Sequence, residues 1–196
     1  VGTPTATDNC SEVNIVYNGQ TRIDGDCPNS YTLLRTWTAT DACGNETVAT
    51  QTITVEDTKA PIMDVPASNL VVNCDGNGNI EALNEWLANN GGAVAHDNCG
   101  QVTWSNNYTG LINGCGATGT VTVTFVASDE CGNTKPTTAT FTIIDETAPV
   151  FTVVPQDLTV ECDGEGNGSA LENWLANVSA TDVCGEVEIT NNFEGL

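Results

Sequence analysis

Apolar and polar residues alternate with a period of two along most of this chain. Val121, Val123, Phe125 and Ala127 fall on one side of TVTVTFVAS, and Phe141 and Ile143 share a side of ATFTII, as Ile53 and Val55 do in an earlier copy. In NLVVNC, Leu70, Val72 and Cys74 line up, and Leu158, Val160 and Cys162 repeat them. Val102 and Trp104 match Val13 with Ile15 and Val187 with Ile189. Short Thr-, Val- and Ile-rich runs of this kind, separated by turn residues, predict the strands of an all-β sandwich. Cys-Gly-Asn between the last two strands predicts a hairpin turn, with Gly44 and Gly132 at positive φ. One stretch departs from the pattern. NIEALNEWLANNGG places Ile80, Leu83 and Leu87 at helical spacing and ends in Gly91-Gly92, and its copy ALENWLAN keeps Leu171, Trp174 and Leu175. A short amphipathic helix is expected between the first two strands, with Trp86 and Trp174 in the core.

The whole pattern recurs. TATDACGNET at 38–47 returns as VASDECGNTK at 126–135, 88 residues later. Cys27 returns as Cys115, Cys43 as Cys131, Cys74 as Cys162, Trp86 as Trp174 and Ala60-Pro61 as Ala148-Pro149, all at the same interval. ATDNC at 6–10 matches AHDNC at 95–99 and ATDVC at 180–184 with slips of one and three residues, which belong in loops. A fixed period of this length is the signature of a tandem array. Residues 1–56 read as the C-terminal part of one repeat, 57–144 as a complete repeat and 145–196 as the N-terminal part of a third.

Units this small bury a limited fraction of their surface and need staples. Nine cysteines at regular spacing, without a CxxC pattern and with a single histidine, favour disulfides over zinc and an oxidising compartment over the cytosol. Strand direction constrains their pairing. In an extended array each domain is entered at one end and left at the other. The first strand carries Cys74 to the far end, and the second returns Cys99 to the near end. The last strand must finish at the far end, so the hairpin with Cys131 is near and Cys115 is far. The expected bridges are Cys74–Cys115 and Cys99–Cys131, with Cys10–Cys43 by repetition, leaving Cys27, Cys162 and Cys184 to partners outside the chain. Four Lys and Arg against 26 Asp and Glu give a formal charge of −22, which repels nucleic acid and anionic membrane and attracts cations. No apolar run approaches the roughly 20 residues of a spanning helix, so direct membrane insertion is not expected either.

ATDNC at 6–10, RTWTATDACGN at 35–45 and QTITVEDTKAP at 51–61 resemble the HYR-type immunoglobulin-like repeats of bacterial surface proteins. Together with CDGNGN and the helix that follows, they resemble the giant repetitive adhesins of gliding Bacteroidetes. The motif returns in degenerate form through all 196 residues. The resemblance implies tandem Ig-like β-sandwich repeats, disulfide-stapled, in an extracellular adhesin or stalk at the cell surface. It implies association with an outer membrane, type IX secretion, and a part in attachment or gliding motility. Neighbouring repeats of the same chain are the implied partners, with surface polysaccharide or a substratum as ligand. The helical insert is a departure, since the plain HYR repeat lacks it.

Two acidic groups suit a structural calcium ion, the one cofactor expected. Asp75, Asn77 and Asn79, repeated as Asp163, Glu165 and Asn167, set oxygen side chains at alternate positions between glycines, like the opening half of a calcium loop. Trp86 and Trp174 stand where that loop's last Glu would be. The simpler reading is a glycine-rich turn with Asn79 and Asn167 capping the helix. At the junctions, Glu56 with Asp57 and Asp145 with Glu146 precede Ala-Pro linkers, and Asp97 and Asp129 are expected at the same end as Glu56 and Asp57. Converging carboxylates resemble the interdomain calcium sites of cadherins and repel one another unless an ion intervenes. Solvated linker charge is the simpler reading there. His96 is expected on the surface, and Arg35 to lay its stem over Trp37. Nucleophile–base pairs, phosphate-binding glycine loops and catalytic carboxylate pairs are absent from the sequence, so no enzyme is expected. The alternatives to an adhesin are a carbohydrate-binding array, with Trp104 or Tyr108 stacking on sugar, and a passive spacer in a secreted enzyme.

Overall fold

A computed structural model describes residues 4–194. In chain order the elements are β1 (Asn14–Asp24), β2 (Tyr31–Thr40), β3 (Glu46–Val55), β4 (Ile62–Val65), β5 (Leu70–Asn73), α1 (Ile80–Ala88), β6 (Val94–His96), β7 (Thr103–Asn106), β8 (Ile112–Asn113), β9 (Gly119–Ser128), β10 (Thr134–Ile144), β11 (Val150–Val153), α2 (Gly168–Ala176) and β12 (Ser179–Thr181). The chain gathers into two compact units. The first joins Val1–Asp64 with Val94–Ser105 and Val126–Pro136, the second Val65–Ala93 with Asn106–Phe125 and Thr137–Leu196.

In the first unit β1, β2 and β3 form a three-stranded antiparallel meander. β2 and β3 stay in register from Tyr31↔Val55 to Thr40↔Glu46. β1 and β2 pair from Asn14↔Thr40 to Asp24↔Tyr31, with a bulge where Asn18 is passed over and Gly19 takes a positive φ. None of these three strands carries a buried residue. A single sheet needs a second layer to bury its apolar face, and Val16, Tyr17, Ile23 and Val48 remain exposed. Tyr17 packs on Trp37 with ring centroids 5.3 Å apart. Arg22 stands above the Tyr31 ring, at 4.1 Å. Arg35 donates from Nε to Gln20 Oε1 at 3.2 Å. Two strands that the period-two pattern did not reveal, β4 and β6, pair with each other. His96 lies on the surface, its Nδ1 2.7 Å from Asp64 Oδ2.

Most of the buried core residues belong to the second unit. A five-stranded sheet has the order β5-β10-β9-β7, with β8 paired to β9. Along β9, and along β10 from Ala139 on, every second residue is buried, as the alternation predicts: Val121, Val123, Phe125 and Ala127 from one strand, Ala139, Phe141 and Ile143 from the other. α1 covers them with Leu83 and Trp86, while Ile80 stays exposed. Trp86 meets Phe125 edge to face at 5.2 Å and Phe141 at 5.6 Å, and its indole N–H donates to Ser68 O at 3.1 Å. The ring is therefore buried without stranding its donor. Gly91 ends this segment with φ +66°, and a Cβ there would stand 3.0 Å from Phe125 Cε2 and 3.1 Å from Ala67 Cβ, so only glycine fits. α2 repeats α1, but Trp174 is 36% exposed. Among the described residues no aromatic ring pair is found at Trp174 like those of Trp86 with Phe125 and Phe141.

β5 runs parallel to β10, from Leu70↔Phe141 to Asn73↔Ile144, so the first strand read from the pattern and the last run in the same direction, as expected. The bridges differ. Cys131 is bonded to Cys27 and Cys74 to Cys184, with Cα–Cα separations of 5.1 and 6.0 Å. The expected Cys10–Cys43, Cys74–Cys115 and Cys99–Cys131 do not form, and Cys10, Cys43, Cys99, Cys115 and Cys162 are thiols. The bonded cysteines are 104 and 110 residues apart, farther than one period, so each bridge joins consecutive repeats rather than closing one.

Candidate functional site

Asp-x-Cys occurs five times, and each copy folds alike. The Asp Oδ1 accepts the main-chain N–H of the Cys two residues on: Asp8 to Cys10, Asp41 to Cys43 and Asp97 to Cys99 at 2.8 Å, Asp129 to Cys131 at 2.9 Å, Asp182 to Cys184 at 2.7 Å. The short acidic side chain closes a turn on itself and holds the cysteine at a loop tip. In Asp-x-Cys-Gly-Asn the closure is doubled. Asp41 Oδ1 also accepts Asn45 N at 2.8 Å while Oδ2 accepts Asn45 Nδ2 at 2.7 Å, and Asp129 makes the same pair with Asn133 at 2.8 and 2.9 Å. Gly44 and Gly132 both carry φ +86°. That clasp of the β2–β3 and β9–β10 hairpins is why the motif returns.

The Asn45 side chain, with main-chain N–H groups added, holds the Asp41 carboxyl below the usual carboxylate range. Burial pushes Asp129 up, but the Asn133 side chain and the N–H groups of Asn133, Cys131 and Gly132 outweigh it, and the carboxyl ends low. Asp129 therefore braces a turn with both oxygens.

Two clusters of carboxylate and cysteine lie at equivalent places in the repeat. Asp57, Asp97 and Cys99 bring one potential ligand atom each within 4.8 Å of one another in the first unit, and Asp145, Asp182 and Cys184 do so in the second. Asp57 Oδ1 accepts Lys59 N at 3.0 Å, and Asp145 Oδ1 accepts Thr147 N at 3.0 Å and Thr147 Oγ1 at 2.7 Å. The Thr147 hydroxyl, with its N–H, keeps Asp145 below the usual range. Burial raises the Cys99 thiol, and Asp57, Asp97 and Asp129 raise it further, which disfavours its thiolate. Cys184 is bonded to Cys74. The donor set offered to an ion is thus two carboxylates, hard oxygens of the kind calcium takes, with main-chain carbonyls and water left to complete six to eight ligands.

Of the expected ligands, Asp57, Asp97 and Asp145 lie in these clusters. Glu56 and Glu146 are exposed and belong to neither. Asp182 was missed, although ATDVC already matched AHDNC. Asp75, Asn77 and Asn79 form a closed turn instead of an open cage. Asp75 Oδ1 accepts Asn79 N at 3.0 Å and Asn77 N at 2.7 Å, and these two donors hold its carboxyl low. The buried Asn79 donates from Nδ2 to Asn73 O at 2.8 Å. Asp163 repeats the pattern with Glu165 N at 2.8 Å and Asn167 N at 3.1 Å, and Asn167 with Glu161 O at 2.8 Å. Asn79 and Asn167 sit in the left-handed region and make no side-chain cap, so the helix starts are closed by the turn and not by N-capping. Trp104 and Tyr108 are half-buried rather than open platforms.

Fold and doubled clusters together define a disulfide-bonded tandem β-sandwich repeat protein. No family model matches the chain. It is 29% identical over 194 residues to Hyalin of Strongylocentrotus purpuratus, a match that covers 96% of this chain and 15% of Hyalin. The chain thus spans about 15% of the length of that curated relative. A solved structure described as "PcdhgB3 EC1-4 in 50 mM HEPES" aligns over 74% of this chain and 44% of that one, with 9% identity and a TM-score of 0.29. That likeness is too slight to bear on the fold, which rests on the strands above.

Proposed function

We propose that the chain is a non-enzymatic segment of an extracellular adhesive array, in which rigid repeats project from a cell surface and support attachment or gliding motility. One observation carries the reading: the same Asp-x-Cys turns and the same Asp–Asp–Cys cluster are rebuilt one period apart. A scaffold unit used in series does this, whereas a catalytic centre has no need of it. The similarity to Hyalin along nearly the whole chain and the resemblance to HYR-type repeats support it. Many weak contacts, one or a few per repeat, would give strong attachment by avidity to polysaccharide or a substratum. Antibody raised against this segment should stain intact, unpermeabilised cells and reduce their attachment. Staining confined to permeabilised cells, or attachment unchanged at saturating antibody, would sink the proposal.

Calcium is the cation proposed for the clusters, with Asp57 and Asp97 holding one ion and Asp145 and Asp182 another. A formal charge of −22 supports this, because paired carboxylates on so acidic a surface gain from a divalent counter-ion. Calorimetric titration should show two sites, of which Asp57→Asn removes one and Asp145→Asn the other. A titration without binding heat, or one insensitive to both substitutions, leaves solvated linker charge as the better description.

A further inference from the structure

We infer that every junction between repeats is a node of four cysteines carrying two inter-repeat disulfides, and that Cys99 and Cys115 are the halves of two such bonds to neighbouring repeats. The cysteines fall into four positions of the repeat. Cys10, Cys99 and Cys184 occupy one, Cys27 and Cys115 a second, Cys43 and Cys131 a third, Cys74 and Cys162 a fourth. Cys27–Cys131 joins the second position to the third one repeat later, 104 residues on. Cys74–Cys184 joins the fourth to the first one repeat later, 110 residues on. The two bonds use different positions of the repeat, so they do not compete for a cysteine at one junction.

The two junctions are the same junction seen twice. In the first, Asn29 Nδ2 donates to Cys99 O. In the second, Ala117 N, two residues after Cys115 as Asn29 is after Cys27, donates to Cys184 O at 2.6 Å. A side chain on Gly116 would strike that same carbonyl. The Asp–Asp–Cys cluster stands at both. Yet the first junction holds only the Cys27–Cys131 bond with Cys99 left as a thiol, and the second only Cys74–Cys184 with Cys115 left as a thiol. Counting 110 residues back from Cys99, or 104 forward from Cys115, leads outside residues 1–196. The same two separations lead outside the chain from Cys10, Cys43 and Cys162, so one rule places all nine cysteines. Cys115 is exposed and lines, with Cys184 and Asp145, an open cleft of about 810 Å³, where an incoming hairpin would dock.

Each bond forms by exchange with a small disulfide oxidant. One cysteine thiolate attacks the oxidant's sulfur and releases one thiol, and the second cysteine then attacks the mixed disulfide and releases the other. Two protein thiols and one oxidant disulfide become one protein disulfide and two small thiols. Leu196 aligns with Leu111, through NNFEGL at 191–196 and NNYTGL at 106–111. The test is therefore a chain extended after Leu196 by a second copy of residues 112–144, folded oxidatively, blocked with iodoacetamide and digested without reduction. Expected are Cys27–Cys131, Cys74–Cys184 and a new bond from Cys115 to the copied Cys131, with Cys115 alkylated only in the unextended chain. Cys115 still alkylated in the extended chain, Cys115 bonded to Cys99 or Cys74, or the copied Cys131 bonded inside its own repeat would each overturn the inference. So would failure to recover the first two bonds.

Discussion

Consider the chain tethered at both termini and stretched until nothing folded remains. With both bridges intact, the shortest covalent path is set by the larger shortcut, because the loops closed by Cys27–Cys131 and Cys74–Cys184 overlap and only one can be used. That shortcut removes 110 residues from the extensible length. A fully extended chain spans roughly 3.3–3.6 Å per residue, so reduction should lengthen the stretched molecule by about 360–400 Å. Bridges closed within a repeat, at Cys10–Cys43 and Cys74–Cys115, would shorten it by only about 250 Å on the same scale. Single-molecule stretching in the presence and absence of reductant reads this difference directly. A gain near 250 Å, or none, would refute the inter-repeat connectivity. The bridges also act without load. Loops of about 100 residues remove about 4.7 kcal/mol of denatured-chain entropy each in the simple model, less together because the loops overlap. Reduction should therefore lower the denaturation midpoint of both compact units.

Trp86→Ala should cost about 3–5 kcal/mol in urea unfolding, since the ring fills the space between α1 and the two core strands, whereas Trp174→Ala should cost under about 1 kcal/mol; similar losses at both would refute the difference in burial. Gly91→Ala should destabilise by about 1–3 kcal/mol, because its Cβ would press on Phe125 and Ala67 from a left-handed backbone, and an unchanged midpoint would contradict that packing. The carboxyls of Asp41, Asp75, Asp129, Asp145 and Asp163 are all held low in the fold. Their contribution is fully present above the unfolded carboxylate pKa of about 3.9 and is lost as pH falls through the lower folded values, so circular dichroism should stay constant to about pH 4 and decline below it. Loss of structure already near pH 6 would point to other groups.

Period-two alternation located β9 and β10 because these strands are long and bury one face, in part under Trp86 of α1, so the residues on that face had to be apolar. The helix showed itself for the same reason, through Leu83 and Leu87. β4 and β6 escaped notice: strands of four and three residues show too few turns of the pattern to separate from their flanks. The exposure of Trp174 could not be read from its match to Trp86, because burial belongs to the partner and not to the residue. Likewise DGNGN presents the same letters whether its Asp faces an ion or its own backbone. The donors that decide this are main-chain N–H groups, which a sequence does not display.

The cysteines show where strand direction stops being informative. Direction settles the end of a sandwich at which a cysteine lies, and the observed bonds, Cys27–Cys131 and Cys74–Cys184, each join a cysteine expected at the far end of one repeat to one expected at the near end of the next. At an end, however, a loop cysteine faces the next repeat as readily as its own. A bridge requires Cα atoms about 4.4–6.8 Å apart, so the lateral position of each loop decides the partner, and that follows from sheet order, which alternation does not encode. Repetition holds the missing information. In a strict array a bond within a repeat and a bond to the next one leave the same count per period, but they leave different cysteines unmatched within residues 1–196: the first leaves Cys27, Cys162 and Cys184, the second Cys10, Cys43, Cys99, Cys115 and Cys162. Cys99 is unmatched at one junction and Cys115 at the other, and both lie within 57–144, where bridges closed inside each repeat would have paired them with Cys131 and Cys74.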